Sequence, residues 1–109
     1  MALIVTELTL EAIALVRPLV PLIRRRDRDL ASQLTRAASS AALNCGEGEY
    51  NDAGNRRARF HTAAGSANES RIALRAAVAW GYVTAVQAQP PIALYNRVVG
   101  ILWRLSRGP

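Results

Sequence analysis

The sequence predicts an all-α fold, a tightly packed helical bundle, and three observations predict it. Residues 34–69 hold two small-residue helical patterns on either side of a polar hinge, Asn44-Cys45-Gly46-Glu47-Gly48. A helix that offers mainly Ala and Ser to its neighbours approaches them closely. The 109 residues suffice for one core and about four helices, and are too few for two cores. Half of them are apolar, mostly Ala, Leu, Val and Ile, which excludes a disordered chain. Residues 1–109 therefore read as a single domain, without internal repeat or low-complexity linker.

The first helix is expected over residues 6–25, with Thr6 as N-cap and Glu7 near the positive end of the dipole. Val5, Leu8, Ala12, Leu15, Leu19 and Leu22 form one apolar stripe, and Ile13, Val16, Val20 and Ile23 form a second on another face. A surface helix of a small monomer needs one stripe, so the second implies a further cover, most simply another subunit. Ile13, Val16, Val20 and Ile23 are thus the candidate oligomer interface. Pro18 and Pro21 each remove an internal hydrogen bond and are expected to kink this helix.

The second helix starts at Asp27 or Asp29 as a cap and runs to Cys45, with Leu30, Leu34, Ala37, Ala38 and Ala41 on one side. Gly46 and Gly48 are expected to stop it. Turn-forming residues fill the hinge at 49–55, and Asp52 or Asn55 caps a third helix over 53–80. There Phe60, Ala63, Ala67, Ser70, Leu74, Ala77 and Gly81 repeat in three- and four-residue steps, a coiled-coil-like seam. Gly81 ends that helix, residues 82–90 connect, and Pro91 at a first helical position opens the fourth, running to Arg107.

All 14 basic residues are Arg, against eight acidic ones, for a net charge of +6. Guanidinium groups make planar bidentate contacts to phosphate and carboxylate, so a nucleic acid or an acidic partner suits this balance. A single Cys and a single His exclude an intrachain disulfide and any paired metal-ligand spacing, so no metal and no cofactor are expected. The first residues lack a basic segment, and Glu7 and Glu11 interrupt the apolar run, which predicts a cytoplasmic protein without a signal peptide. Residues 76–96 are uncharged and long enough to cross a bilayer, yet they hold Gly81, Gln87, Gln89, Pro90 and Pro91. They read as a helix end, a loop and a helix start, with no membrane role.

Leu30-x-x-Gln33-Leu34-x-Arg36-Ala37-Ala38-x-Ser40, then Asn44-x-x-Glu47-Gly48, then Phe60-x-x-x-Ala64-Gly65-Ser66-x-x-Glu69 form a combination spread over the chain. It resembles the four-helix-bundle family named after proteins encoded in ribosomal RNA intervening sequences, whose relatives include the accessory variability determinants of diversity-generating retroelements. The resemblance implies an antiparallel up-down-up-down four-helix bundle that often assembles as a ring-like homopentamer. It implies, for the accessory members, binding to a reverse transcriptase and, through basic surface, to nucleic acid. Those members commonly carry basic residues after the Glu-Gly motif, whereas here Glu49-Tyr50-Asn51-Asp52 precede Arg56-Arg57.

Within that pattern Arg36, Asn44, Glu47, Gly48, Gly65, Ser66 and Glu69 form a polar motif, expected to satisfy helix-end groups, pair with Arg36 or Arg71, or set helix register. Gly65 sits inside a helix, where close approach of a neighbour is the ordinary explanation. Two Arg groups fall at opposite ends of the bundle. Arg24, Arg25, Arg26 and Arg28 suit the negative dipole end of the first helix. Arg56, Arg57 and Arg59 oppose the dipole of the third helix, and Arg104 and Arg107 approach them from the fourth; this cluster is the stronger candidate for phosphate. Ser39, Ser40 and Cys45 have no base at an identifiable spacing, so no catalytic residue is expected. The expected role is a non-enzymatic oligomeric scaffold that binds RNA or DNA, or a nucleic-acid enzyme such as a reverse transcriptase, through Arg-rich surface. A protein-interaction module with an acidic or apolar protein partner is the alternative.

Overall fold

The computed structural model describes residues 2–107, with side chains from residue 4 onward. Its elements are α1 (Ala2–Val16), one turn of 3-10 helix (Arg17–Leu19), α2 (Val20–Arg26), α3 (Arg28–Glu49), α4 (Ala53–Trp80) and α5 (Ala85–Arg107). No strand occurs among the described residues. The first three pieces form one broken rod, so four rods make the bundle, within extents of 42 × 21 × 18 Å. Each rod packs on two others: α1 on α3 and α5, and α4 on α3 and α5. Cross-links between opposite helix ends show that neighbours run antiparallel. Thr6 near the start of α1 donates to the Glu49 carboxylate at the end of α3, and Arg59 of α4 meets Glu47 of α3.

The break in the first rod follows from its prolines. Pro18 has no N–H with which to close an α-turn, so the chain tightens into 3-10 geometry, where the Val20 N–H reaches the Arg17 carbonyl. Thr6, in contrast, is not a cap: nothing in residues 2–5 breaks a helix, so α1 already begins at Ala2, and Val5 is buried.

Most of the second apolar stripe lies inside the protomer, against the expectation of an oligomer interface there. Val16 is 3% exposed, Val20 8% and Ile23 0%, and only Ile13 stays half-buried. The reason is geometric. A rod of a four-rod bundle touches two neighbours, so two stripes are consumed by one protomer. Among the described side chains of α1, Ile4 and Leu10 are the large apolar ones left exposed.

α3 behaves differently from its glycines' usual role as well. Asp27 caps it, its carboxylate accepting from the Leu30 N–H at 3.0 Å, but it runs through Gly46 and Gly48 to Glu49. Gly48 marks a close approach: a Cβ there would lie 2.6 Å from Cε1 of the fully buried Phe60 ring. The carboxylate of Asp52 accepts from the Asn55 N–H at 3.1 Å and starts α4 as expected. Gly81 then ends α4 with φ of 81°, and the Tyr82 N–H reaches back to the Ala77 carbonyl at 2.9 Å.

The fourth rod starts earlier than its prolines suggest. Thr84 and Gln87 form a reciprocal cap, the Gln87 N–H donating to the Thr84 hydroxyl at 3.0 Å and the Thr84 N–H to the Gln87 side chain at 2.8 Å. α5 therefore begins at Ala85, and Pro90 and Pro91 lie inside it. Their missing N–H groups release the carbonyls of Val86 and Gln87, both exposed residues whose carbonyls water can serve.

Candidate nucleic-acid interface

The polar motif becomes a seam between α3 and α4. Asn44 sits one turn after Ser40, and its amide donates to the Ser40 carbonyl at 2.9 Å and hydroxyl at 3.2 Å. Across the helix pair, the Ser40 and Ser66 hydroxyls are hydrogen-bonded at 2.7 Å. Arg59 closes the seam, its Nε 3.1 Å from the Glu47 carboxylate and its Nη1 donating to the Asn44 side-chain oxygen at 3.3 Å. A shallow cleft of about 480 Å³ lies over this seam, lined by Arg36, Ser40, Asn44, Glu47 and Arg59 among others. The arrangement fixes register, because sliding α3 against α4 would break all the cross-helix bonds at once.

Two members of the motif stand apart. Glu69 is exposed and pairs with neither Arg36 nor Arg71. Arg71 turns to α5, donating to the side chains of Asn96 at 2.9 Å and of Asn68. Gly65 is also exposed, with nothing within 4 Å of the place a Cβ would occupy, so no neighbouring helix explains it. Glu47 and Glu69 are thus not a carboxylate pair.

Around the thiol the environment is inert. Cys45 is fully buried, and burial, with a smaller push from the Glu49 carboxylate against an opposing effect of Thr9, raises its pKa to about 12. A thiolate does not form there at neutral pH. Tyr95 is buried too, and burial raises its pKa against a smaller opposing effect of Ser70. Among the described residues no group of three or more His, Cys, Asp and Glu could hold a metal ion.

The two Arg groups lie at opposite ends, as the topology requires. At the α2–α3 end Arg24, Arg25, Arg26 and Arg28 are exposed, and Arg26 stands 5.6 Å over the Tyr82 ring. Asp27 accepts there from the Tyr82 hydroxyl at 3.2 Å, tying this corner to the α4–α5 loop. The opposite end brings the first turns of α4 together with the last turns of α5. Arg59 is neutralised by Glu47, which removes it from the set of available cations. Arg56 stands 5.4 Å over the Phe60 ring and Arg107 5.0 Å over the Trp103 ring, contacts that hold a guanidinium without cancelling its charge. Among the described residues no carboxylate partners Arg57 or Arg104.

Arg97 is absent from the sequence candidates, although it stands seven residues before Arg104, a spacing that puts both on one face of α5. A cleft of about 470 Å³ lies between them. Of the aromatic residues, Tyr50 in the hinge is 90% exposed, and Trp80 is 69% exposed and stacked on Tyr82.

No helix among the described residues is long and apolar enough to cross a membrane. No curated protein matches the chain. A solved structure with the same fold is a protein of unknown function from the S23 ribosomal protein family of Bacteroides thetaiotaomicron, 19% identical, covering 95% of this chain and 99% of that one with a TM-score of 0.84. The profile of the 23S rRNA-intervening sequence proteins matches residues 4–104, nearly the whole chain. The chain belongs to the 23S rRNA-intervening sequence protein family.

Proposed function

We propose that this protein is a non-enzymatic oligomeric scaffold that binds nucleic acid through Arg-lined surface at the end of the bundle formed by α4 and α5. One observation carries the reading: against 14 Arg, a single ion pair, Arg59 with Glu47, forms among the described residues. The fold therefore holds guanidinium groups in place, several braced over aromatic rings, without neutralising them. Uncompensated cations in fixed positions are what phosphate contacts need.

A scaffold role is favoured over catalysis by the state of the reactive groups. Glu47 is engaged by Arg59, Ser40 and Ser66 hold each other, and the Cys45 thiol stays protonated. Self-association, a homopentamer by the family resemblance, finds support in Leu10 of α1 and Leu43 of α3, large apolar side chains that the protomer leaves exposed. Repetition of modest Arg contacts around such a ring would raise their joint affinity. A reverse transcriptase or another nucleic-acid enzyme is a further partner of this reading, and cytoplasmic location agrees with a lone buried thiol.

The test is retention of labelled RNA and DNA by purified protein at low salt, with loss as salt rises. Absence of any retention at low salt defeats the proposal. The second reading, a protein-interaction module, is favoured by a groove of about 440 Å³ that Val78, Ala79, Val86 and Ile92 line beside Arg75. Charge reversal at Arg56 and Arg57 and, separately, Val86→Asp in this groove separate the two: nucleic-acid retention unchanged by the reversal, with a protein partner lost in Val86→Asp, favours the second.

A further inference from the structure

The cleft between the end of α5 and the start of α1 has a construction that the rest of the basic surface lacks. It is lined by Ile4, Asn96, Arg97, Gly100, Ile101 and Arg104. Gly100 contributes no side chain to its floor, and the nearest atom to a Cβ built there is Nη1 of Arg104, at 3.9 Å. Arg97 and Arg104 stand at either side of that floor, and no carboxylate pairs with either among the described residues. Seven residues of helix separate their Cα atoms by about 10 Å along the axis, so the two guanidiniums meet different phosphates of one strand. Asn96 is held at the edge by the Arg71 guanidinium.

An exposed aromatic side chain stands on the same turns of α5, outside the lining of the cleft itself. Trp103 is 52% exposed, and positions 100 and 103 of a helix point within ~60° of one another. The Arg107 guanidinium 5.0 Å over the ring braces the indole. An exposed indole beside two unpaired guanidiniums matches the combination used on single strands, where bases stack on aromatic rings while cations track the backbone. A duplex keeps its bases stacked inside and gives the indole nothing to meet.

We infer that the Arg97–Gly100–Arg104 cleft with Trp103 binds single-stranded nucleic acid, two phosphates meeting Arg97 and Arg104 and an unpaired base stacking on the face of Trp103 opposite the Arg107 guanidinium. The inference rests on the nucleic-acid reading above and narrows it to unpaired strands. Ile4 and Ile101 supply apolar wall for the sugar and base edges. Gly100 is then required as open floor, since a larger side chain there fills the space between the cations.

The test uses the full chain, a fluorescein-labelled oligouridylate and a duplex of equal length, followed by anisotropy. Trp103→Ala is expected to weaken the single strand about tenfold and the duplex hardly at all, while Trp103→Phe retains most of the affinity. The Arg97→Ala/Arg104→Ala pair is expected to lower the slope of log Kd against log salt by about 1.4 for the single strand. In a Trp80→Phe background, the remaining indole fluorescence is expected to quench with the single strand and not with the duplex. Equal weakening of both probes by every variant, or no quenching, overturns the single-strand site while leaving general nucleic-acid binding standing. Failure of the unaltered protein to hold either probe overturns both.

Discussion

Gly48→Ala is the substitution in which local and tertiary energetics disagree most sharply. Within a helix, replacing Gly by Ala stabilises by up to about 1 kcal/mol, and by less at position 48, next to the last residue of α3. At position 48 the added Cβ would stand 2.6 Å from Cε1 and 2.9 Å from Cδ1 of Phe60. That ring cannot swing aside freely, because it is fully buried and lies under the Arg56 guanidinium. Overpacking of this kind costs about 1–3 kcal/mol, so the net effect is a loss of about 1 kcal/mol. Gly46→Ala and Gly65→Ala are internal controls, since nothing lies within 4 Å of either Cβ, and each is expected to stabilise by about 0.5–1 kcal/mol. Thermal unfolding followed by circular dichroism at one fixed protein concentration reads the difference. The two controls should raise the midpoint and Gly48→Ala should lower it, each by about 4–8 °C per kcal/mol. A Gly48→Ala protein as stable as the two controls would refute the close approach of α3 and α4 at Phe60. Relief of the loss in a Gly48→Ala/Phe60→Leu double variant would confirm its cause.

Alkaline pH gives a second check. The Cys45 thiol, ordinarily near 9.0, is raised to about 12 by burial, so above pH 9 the unfolded chain loses a proton that the folded one keeps. The thiol should therefore lower stability as pH rises from 9 toward 12, by at most about 1.4 kcal/mol per pH unit, and Cys45→Ala should show a correspondingly shallower fall between pH 9 and 10. With no Lys in the chain, the raised Tyr82 and Tyr95 supply the remaining loss, which sets in as pH approaches 10; denaturant titrations that show the same slope in Cys45→Ala as in the unaltered protein would contradict a buried thiol. Thr84→Ala removes one half of the α5 cap and should cost about 1 kcal/mol in urea unfolding. Ser66→Ala breaks the α3–α4 hydroxyl bond and should cost about 1 kcal/mol, whereas Arg59→Ala, breaking a half-exposed pair, should cost less than about 1 kcal/mol. A reversed order of the last two would show that the seam is held by charge instead.

Four rods and their order were legible because caps and the left-handed Gly81 announce themselves locally. Asp27, Asp52 and Gly81 each act within three or four residues of their own position. Gly48 was misread for the opposite reason: its role depends on Phe60, a contact between helices that no local pattern contains. The start of α5 was in principle readable, since Thr84-x-x-Gln87 is a capping box, but the Pro90-Pro91 pair is a louder and misleading signal. The second stripe of the first rod was visible and its cover misassigned, because helical periodicity shows that Val16, Val20 and Ile23 are covered and not by which chain. At the site, the Ser40–Ser66 bond needed the register of two helices, and Arg59 was separated from its Arg neighbours only by the position of Glu47.

The most direct measurement for a scaffold with uncompensated guanidinium groups is the salt dependence of its affinity for a labelled RNA, for the unaltered chain and for Arg56→Glu/Arg57→Glu. Binding that weakens linearly in log salt, with a slope that becomes shallower in the charge-reversed protein, is the predicted result. An affinity indifferent to salt, or a slope unchanged by the reversal, would contradict it.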